Sequence, residues 1–140
     1  MKPKSPIKER LKAYTSLLLE IKIEEQRAKA IIDDGSVTGR RAMAGIRDHI
    51  KTLLDKENVE YEALIKIINA LPCVEQRQVV LARYMDGLPW GTVNVIVFGK
   101  KDDFDIKRDS YQRRIYRIHG NALANANRIL TMAEQERGAQ

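Results

Sequence analysis

Trp90-Gly91-Thr92-Val93-Asn94-Val95-Ile96-Val97-Phe98 is the stretch on which the fold class turns. Five of the six residues from Thr92 to Val97 are β-branched, the composition of a buried strand. No other stretch offers a second strand to pair with it. An isolated strand would leave its backbone N–H and C=O groups without partners. Helix is therefore the preferred reading, with local propensity yielding to context, and the chain as a whole is expected to be all-α.

The flanks support that reading. Leu71-Pro72 is the sharpest boundary in the chain, because proline disfavours helix at the residue before it and cannot continue an interior helix. Val74–Met85 then shows helical spacing in Val80, Leu81, Tyr84 and Met85. Asp86-Gly87 closes it with a glycine in the usual C-terminal place. Leu88-Pro89 turns the chain into Trp90–Phe98. Beyond it, Gly99-Lys100-Lys101-Asp102-Asp103-Phe104-Asp105 reads as a charged loop. A last helix starts at Ile106 or Asp109 and runs to Glu134, with Ile115, Ile118, Ala122, Leu123, Ala126, Ile129 and Leu130 on one side. Residues 136–140 are expected to fray.

Towards the N-terminus, Ser5-Pro6 is a strong helix start, with serine at the cap and proline in the first turn. Ile7, Leu11, Tyr14, Leu18, Ile21, Ala28 and Ile32 follow as a heptad-like stripe broken at Glu25. Leu17, Leu19 and Ile23 widen it. Asp33–Gly39 reads as a polar loop. A second helix runs from about Arg41 to Ala70, with Ile46, Ile50, Leu53, Leu54, Tyr61, Leu64, Ile67 and Ile68 on its apolar face and a gap around Glu57, Asn58 and Glu60. Two long helices and a short loop predict an antiparallel hairpin over residues 1–70. One hairpin buries few faces, so oligomerisation is expected, with a homodimer favoured.

Composition narrows the function. Lys and Arg number 25 against 19 Asp and Glu, a net +6, which permits nucleic acid, an acidic partner or anionic lipid. Each half of the chain carries a net +3. Within the second half, Lys107–Arg117 holds five basic residues against the single acid Asp109. The charge is local. No apolar run reaches the roughly eighteen residues of a membrane span. Met1–Pro6 lacks the apolar core of a secretory signal, so a cytoplasmic protein with no membrane partner is the expectation. A lone cysteine, Cys73, excludes an internal disulfide or a multi-cysteine zinc site.

The residues Leu71-Pro72, Glu75-Gln-Arg77-Gln-Val79-Val80-Leu81, Arg83-Tyr84-Met85-Asp86-Gly87 and Trp90 together resemble region four of the primary bacterial sigma factors. The later run Ser110-Tyr-Gln-Arg-Arg-Ile115-Tyr-Arg-Ile118-His119-Gly120-Asn-Ala122-Leu123 looks like the phage late-gene transcription regulators of the ArpU/RinA type. The resemblance spans nearly the whole chain. It implies a long N-terminal helical hairpin, residues 1–70, followed by a sigma-region-four-like helix-turn-helix domain, residues 71–140. It also implies sequence-specific binding of double-stranded DNA for transcriptional regulation of phage or prophage type, with RNA polymerase contact by analogy. Two departures stand out. Val93-Asn94 replaces the usual Ile-Ala, and Gly99–Arg108 lengthens a turn that is usually tight.

On that reading the basic helix near 108–119 enters the major groove, which accepts a helix of about 10–12 Å diameter. Lys100, Lys101, Lys107, Arg108, Tyr111, Gln112, Arg113, Arg114, Tyr116 and Arg117 are the expected DNA-binding set. Arginine pairs guanine through two hydrogen bonds, Gln112 does the same for adenine, and lysines neutralise phosphates. The bland alternative is a solvated basic face. Trp90 and Tyr84 read as packing anchors, Arg83 as a phosphate contact or a solvated side chain, Cys73 as a packed small hydrophobe, His49 as isolated and His119 as a helix-face residue. Asp102, Asp103 and Asp105 lack the glycine and distal glutamate of a calcium loop. No nucleophile elbow, phosphate-binding glycine loop or His-Glu-x-x-His motif is present, so neither an enzyme nor a cofactor nor a metal is expected. Two other readings remain: a DNA-recognition small subunit of a phage packaging motor, and a protein-interaction module with a degenerate helix-turn-helix.

Overall fold

The computed structural model describes residues 5–31 and 35–138. Its helices are α1 (Pro6–Ala30), α2 (Val37–Asn69), α3 (Val74–Val80), α4 (Trp90–Phe98) and α5 (Arg108–Gly138), with a π-helical turn, Leu81–Met85, continuing α3. No strand occurs among the described residues, and the fold is all-α. No helix is long and apolar enough to cross a membrane among them. The β-branched run lies within α4. Burial explains why helix wins there. Val93, Asn94 and Phe98 are buried while Val95 and Ile96 stand about half exposed, a helical period rather than the alternation of a strand.

Ser5 caps α1 as the sequence suggests, its Oγ accepting the Lys8 N–H at 3.3 Å. The cap is completed from the far end of the chain. Asn127 of α5 accepts the Ile7 N–H at 2.9 Å and donates from Nδ2 to Ser5 Oγ at 2.9 Å. α2 begins at Val37, four residues earlier than its spacing suggests, because Ser36 Oγ accepts the Gly39 N–H at 3.0 Å and draws Val37–Arg40 into the first turn. Ile32, Asp33 and Asp34 lie outside the described residues.

Along the hairpin the inward register of α1 runs Ile7, Leu11, Tyr14, Ile21 and then Glu24, so the polar step falls at Glu24 and not at Glu25. His49 of α2, far from isolated, meets that carboxylate through Nδ1 at 3.2 Å and Glu20 through Nε2 at 3.6 Å, while Arg27 adds a contact at 3.5 Å. The gap in the α2 stripe has an equivalent cause. Glu57 accepts the Tyr14 hydroxyl at 2.7 Å, and Glu60 takes Arg10 through two bonds of 3.0 and 3.1 Å. The Arg10 guanidinium holds the Glu60 carboxyl below its ordinary range. Leu54 and Tyr61, assigned by spacing to the apolar face, are exposed, as are Leu19 and Ile23, because their side of each helix faces away from the partner helix.

The chain packs around two cores. The first joins Ile7, Leu11 and Tyr14 of α1, Leu64 and Ile68 of α2, Leu71, Val80, Tyr84 and Met85, and Ala122, Ala126 and Leu130 of α5. The second joins Val79, Ala82, Val93, Phe98, Phe104, Tyr111 and Ile115. α5 contributes to both. The π-helical turn ends with the Asp86 N–H on Leu81 O at 2.9 Å and the Leu88 N–H on Ala82 O at 3.0 Å. Gly87 supplies the left-handed conformation this needs, with φ of 69°. Cys73, expected to pack, is exposed just before α3, where Leu71 fills the core instead.

Asn127→Ala removes both bonds that tie the α1 cap to α5. Denaturant unfolding should show a loss of about 1–2 kcal/mol; unchanged stability would mean that the cap bonds contribute nothing.

Candidate nucleic-acid interface

The connection between α4 and α5 sets how α5 is presented. Gly99 donates its N–H to Val95 O at 2.8 Å, and a Cβ at this position would collide with that carbonyl oxygen. The chain then turns through Lys101 N–H to Phe98 O at 3.0 Å, Phe104 N–H to Lys101 O at 3.0 Å and Lys107 N–H to Asp103 O at 2.9 Å. Phe104 is buried, and Tyr111 stacks between it and Phe98 at centroid separations of 6.0 and 4.9 Å. The Tyr111 hydroxyl donates to Asp103 Oδ1 at 2.6 Å. Asn94, one of the two departures from the family pattern, donates from Nδ2 to Arg108 O at 3.2 Å and so ties α4 to the start of α5. The long turn is therefore anchored by its own aromatic plug, where spacing alone suggests a loosened geometry.

α5 divides into two faces. Tyr111, Ile115 and Ala122 are buried, with Ile118 partly so. Arg108, Arg113, Arg114, Tyr116 and Arg117 are exposed, as are Lys100, Lys101 and Lys107 in the preceding turn. These eight of the ten expected residues lie on the surface. Some of their charge is already engaged. Lys107 Nζ lies 3.4 Å from Asp103, and Arg108 lies 3.6 Å from Asp105 and over the Phe104 ring. Arg114 lies over Phe98 at 4.8 Å. Among the described residues Arg113 and Arg117, one turn apart, form no ion pair.

Two expected contacts need correction. Tyr111 points into the second core because the Phe98–Phe104 gap accepts its ring, so it is a packing residue and not a base reader. Gln112 is half buried and its Nε2 is enclosed without a protein partner, so its amide does not face outward as the adenine-reading role requires. Arginine side chains, long enough to clear the same helix shoulder, remain outside.

Tyr84 and Trp90, read from the sequence as packing anchors, meet His119 where the hairpin adjoins the C-terminal half. Tyr84 Oη lies 2.7 Å from His119 Nε2. Trp90 is only half buried; it packs edge-on against His119 and Tyr116, with centroids at 4.8 and 5.3 Å, and Arg83 covers its ring at 4.7 Å. Arg83 also donates to Leu88 O at 3.1 Å, so it is neither free nor simply solvated. Burial, reinforced by the charges of Lys8 and Arg83, pushes the His119 imidazole down to about 4. Sequence spacing marked His119 only as a helix-face residue, since its neighbours come from three other elements.

Comparison with protein-family models, curated proteins and solved structures finds no match for this chain. Among the described residues no group of three His, Cys, Asp or Glu side chains is placed to hold a metal ion.

His119 gives the stability a pH dependence of definite sign. The folded state resists its protonation down to about 4, whereas the unfolded chain takes up the proton near 6.5. Stability should therefore fall as pH drops from about 6.5 towards 4. Urea unfolding of the native protein and of His119→Gln across that window checks this; the variant should show a flatter profile above the carboxylate range, and identical profiles would contradict the assignment.

Proposed function

We propose that the protein is a sequence-specific DNA-binding regulator whose α4–turn–α5 unit acts as a helix-turn-helix, with α5 docked in the major groove. The observation that carries this reading is the two-sided α5. One face is fixed in the second core by Tyr111 and Ile115 and in the first by Ala122, while Arg113, Tyr116 and Arg117 project from the other with Arg108 and Arg114 at its edges. A helix held rigidly on one side and basic on the other meets the two physical demands of groove reading: preorganised side chains at base edges and cations near phosphates. Arg113 and Arg117, which form no ion pair among the described residues, are the proposed base or phosphate contacts. Lys100, Lys101 and Lys107 flank them as backbone contacts. The resemblance to phage late-gene transcription regulators supplies the regulatory role and the phage or prophage context, and the sigma-region-four resemblance supplies the RNA polymerase contact.

The hairpin is the proposed dimerisation element. Leu19 and Ile23 on α1, with Leu54 and Tyr61 on α2, leave apolar surface that a second copy would cover. A dimer places two α5 helices on spaced half-sites. A ring of higher order by light scattering would instead favour the packaging-motor reading.

Selection from a randomised duplex pool tests the function. An enriched motif is expected for the native chain and not for Arg113→Ala/Arg117→Ala. If about five cations meet phosphates, log affinity should fall against log salt with a slope of about −4 to −5. Salt-sensitive binding without enrichment would replace sequence reading by non-specific binding. No binding at low salt would leave the interaction-module reading.

A further inference from the structure

A cleft of about 570 Å³ lies where α1 adjoins the C-terminal half, lined by none of the arginines of α5. Lys8 and Lys12 reach it from one side of α1, and Arg83 enters from the π-helical turn. Tyr84, Trp90 and His119 form its other wall, and Thr15 and Ser16 add hydroxyl groups. No carboxylate is among the residues lining it. Among the described residues, neither lysine nor Arg83 has an acidic side chain within ion-pair distance.

Lys8 and Lys12 stand four apart on one helix, a spacing at which like charges destabilise the helix unless an anion lies between or above them. Arg83 is held in place by Leu88 O and by the Trp90 ring, yet the Leu88 bond uses one of its five N–H donors. Its guanidinium is thus preorganised with donors to spare. Burial first, and then the charges of Lys8 and Arg83, lower the pKa of the His119 imidazole on the same wall. Three cations from two elements around one open cleft suit a multiply charged anion better than a single carboxylate, and the volume lies in the range of small-ligand sites.

We propose that this cleft binds a phosphate-bearing anion, with Lys8, Lys12 and Arg83 meeting its charge and the Ser16 hydroxyl facing its oxygens, while the Thr15 hydroxyl is held by Leu11 O at 3.1 Å. The phosphate has two possible sources, a free diphosphate or triphosphate group and the backbone of DNA. The inference does not rest on base reading by α5, because it uses none of the residues proposed for it.

The test is calorimetric titration of the full chain with inorganic pyrophosphate at low salt, alongside titration with a short duplex DNA. The native protein is compared with Lys8→Ala/Lys12→Ala, with Lys12→Arg and with Arg113→Ala/Arg117→Ala. For a free ligand, pyrophosphate should bind once per chain, weaken by about ten-fold or more in the double lysine variant, persist in Lys12→Arg and be unchanged in the arginine variant. For a backbone phosphate, pyrophosphate binds weakly, and the double lysine variant lowers duplex affinity with a salt slope shallower by about two. If the lysine variant changes neither titration while its circular dichroism melt matches the native chain, the proposal is overturned. Both lysines sit at the surface or half buried on α1, so that variant is expected to fold. Failure of DNA reading by α5 alone would show instead as loss of motif enrichment with the pyrophosphate result intact.

Discussion

A pair of antiparallel helices can bury only the stripes that face each other, and everything else in this molecule depends on how the remaining apolar surface is covered. Near the chain's N-terminus the cover comes from within. Ile7, Leu11 and Tyr14 pack with Leu64 and Ile68, and then with Tyr84, Ala122, Ala126 and Leu130 from the C-terminal half. The small residues of α5 at 122 and 126 let the helices approach closely, and Asn127 reaches past them to finish the α1 cap. Towards the loop between α1 and α2, burial among the described residues falls to Ile21, Ile46 and Leu53 with the Glu24–His49 pair between the helices.

The same helix that closes the first core presents the basic face. The C-terminal part of α5 is locked against the hairpin while its first turns are locked by the Phe98–Tyr111–Phe104 stack. Its orientation is thus fixed at both ends by aromatic and aliphatic packing, independent of the charges it carries. Stacking of this kind adds about 0.5–1.5 kcal/mol per pair beyond area burial. The turn from Gly99 to Lys107 is long, yet Phe104 converts its extra length into core volume. Placement of the arginines is accordingly a consequence of burial.

Helix order, the proline boundary, the glycine stop at 87 and the outward position of the basic residues were legible because each rests on local rules: caps, spacing and backbone freedom. The all-α reading of Thr92–Val97 came from the lack of a pairing strand and not from propensity, which points the other way. What spacing could not reveal came from other elements. Glu24 is buried because His49 meets it from α2. Tyr111 is internal because Phe104, seven residues earlier in an apparently polar loop, stacks on it. Gln112 turns in although it sits on a basic segment, and Cys73 stays out although cysteine usually packs. The cleft bounded by Lys8, Lys12, Arg83 and His119 has no local signature, since its walls are separated by more than a hundred residues of chain.

The central claim is that the exposed side of α5, held by its two cores, is the surface that meets DNA. Hydrogen–deuterium exchange of the full chain, with and without saturating duplex, tests it most directly. The account predicts added protection across residues 99–117, with the midsection of α2 unchanged. Protection confined to the hairpin, with 99–117 exchanging as in the free protein, would contradict it.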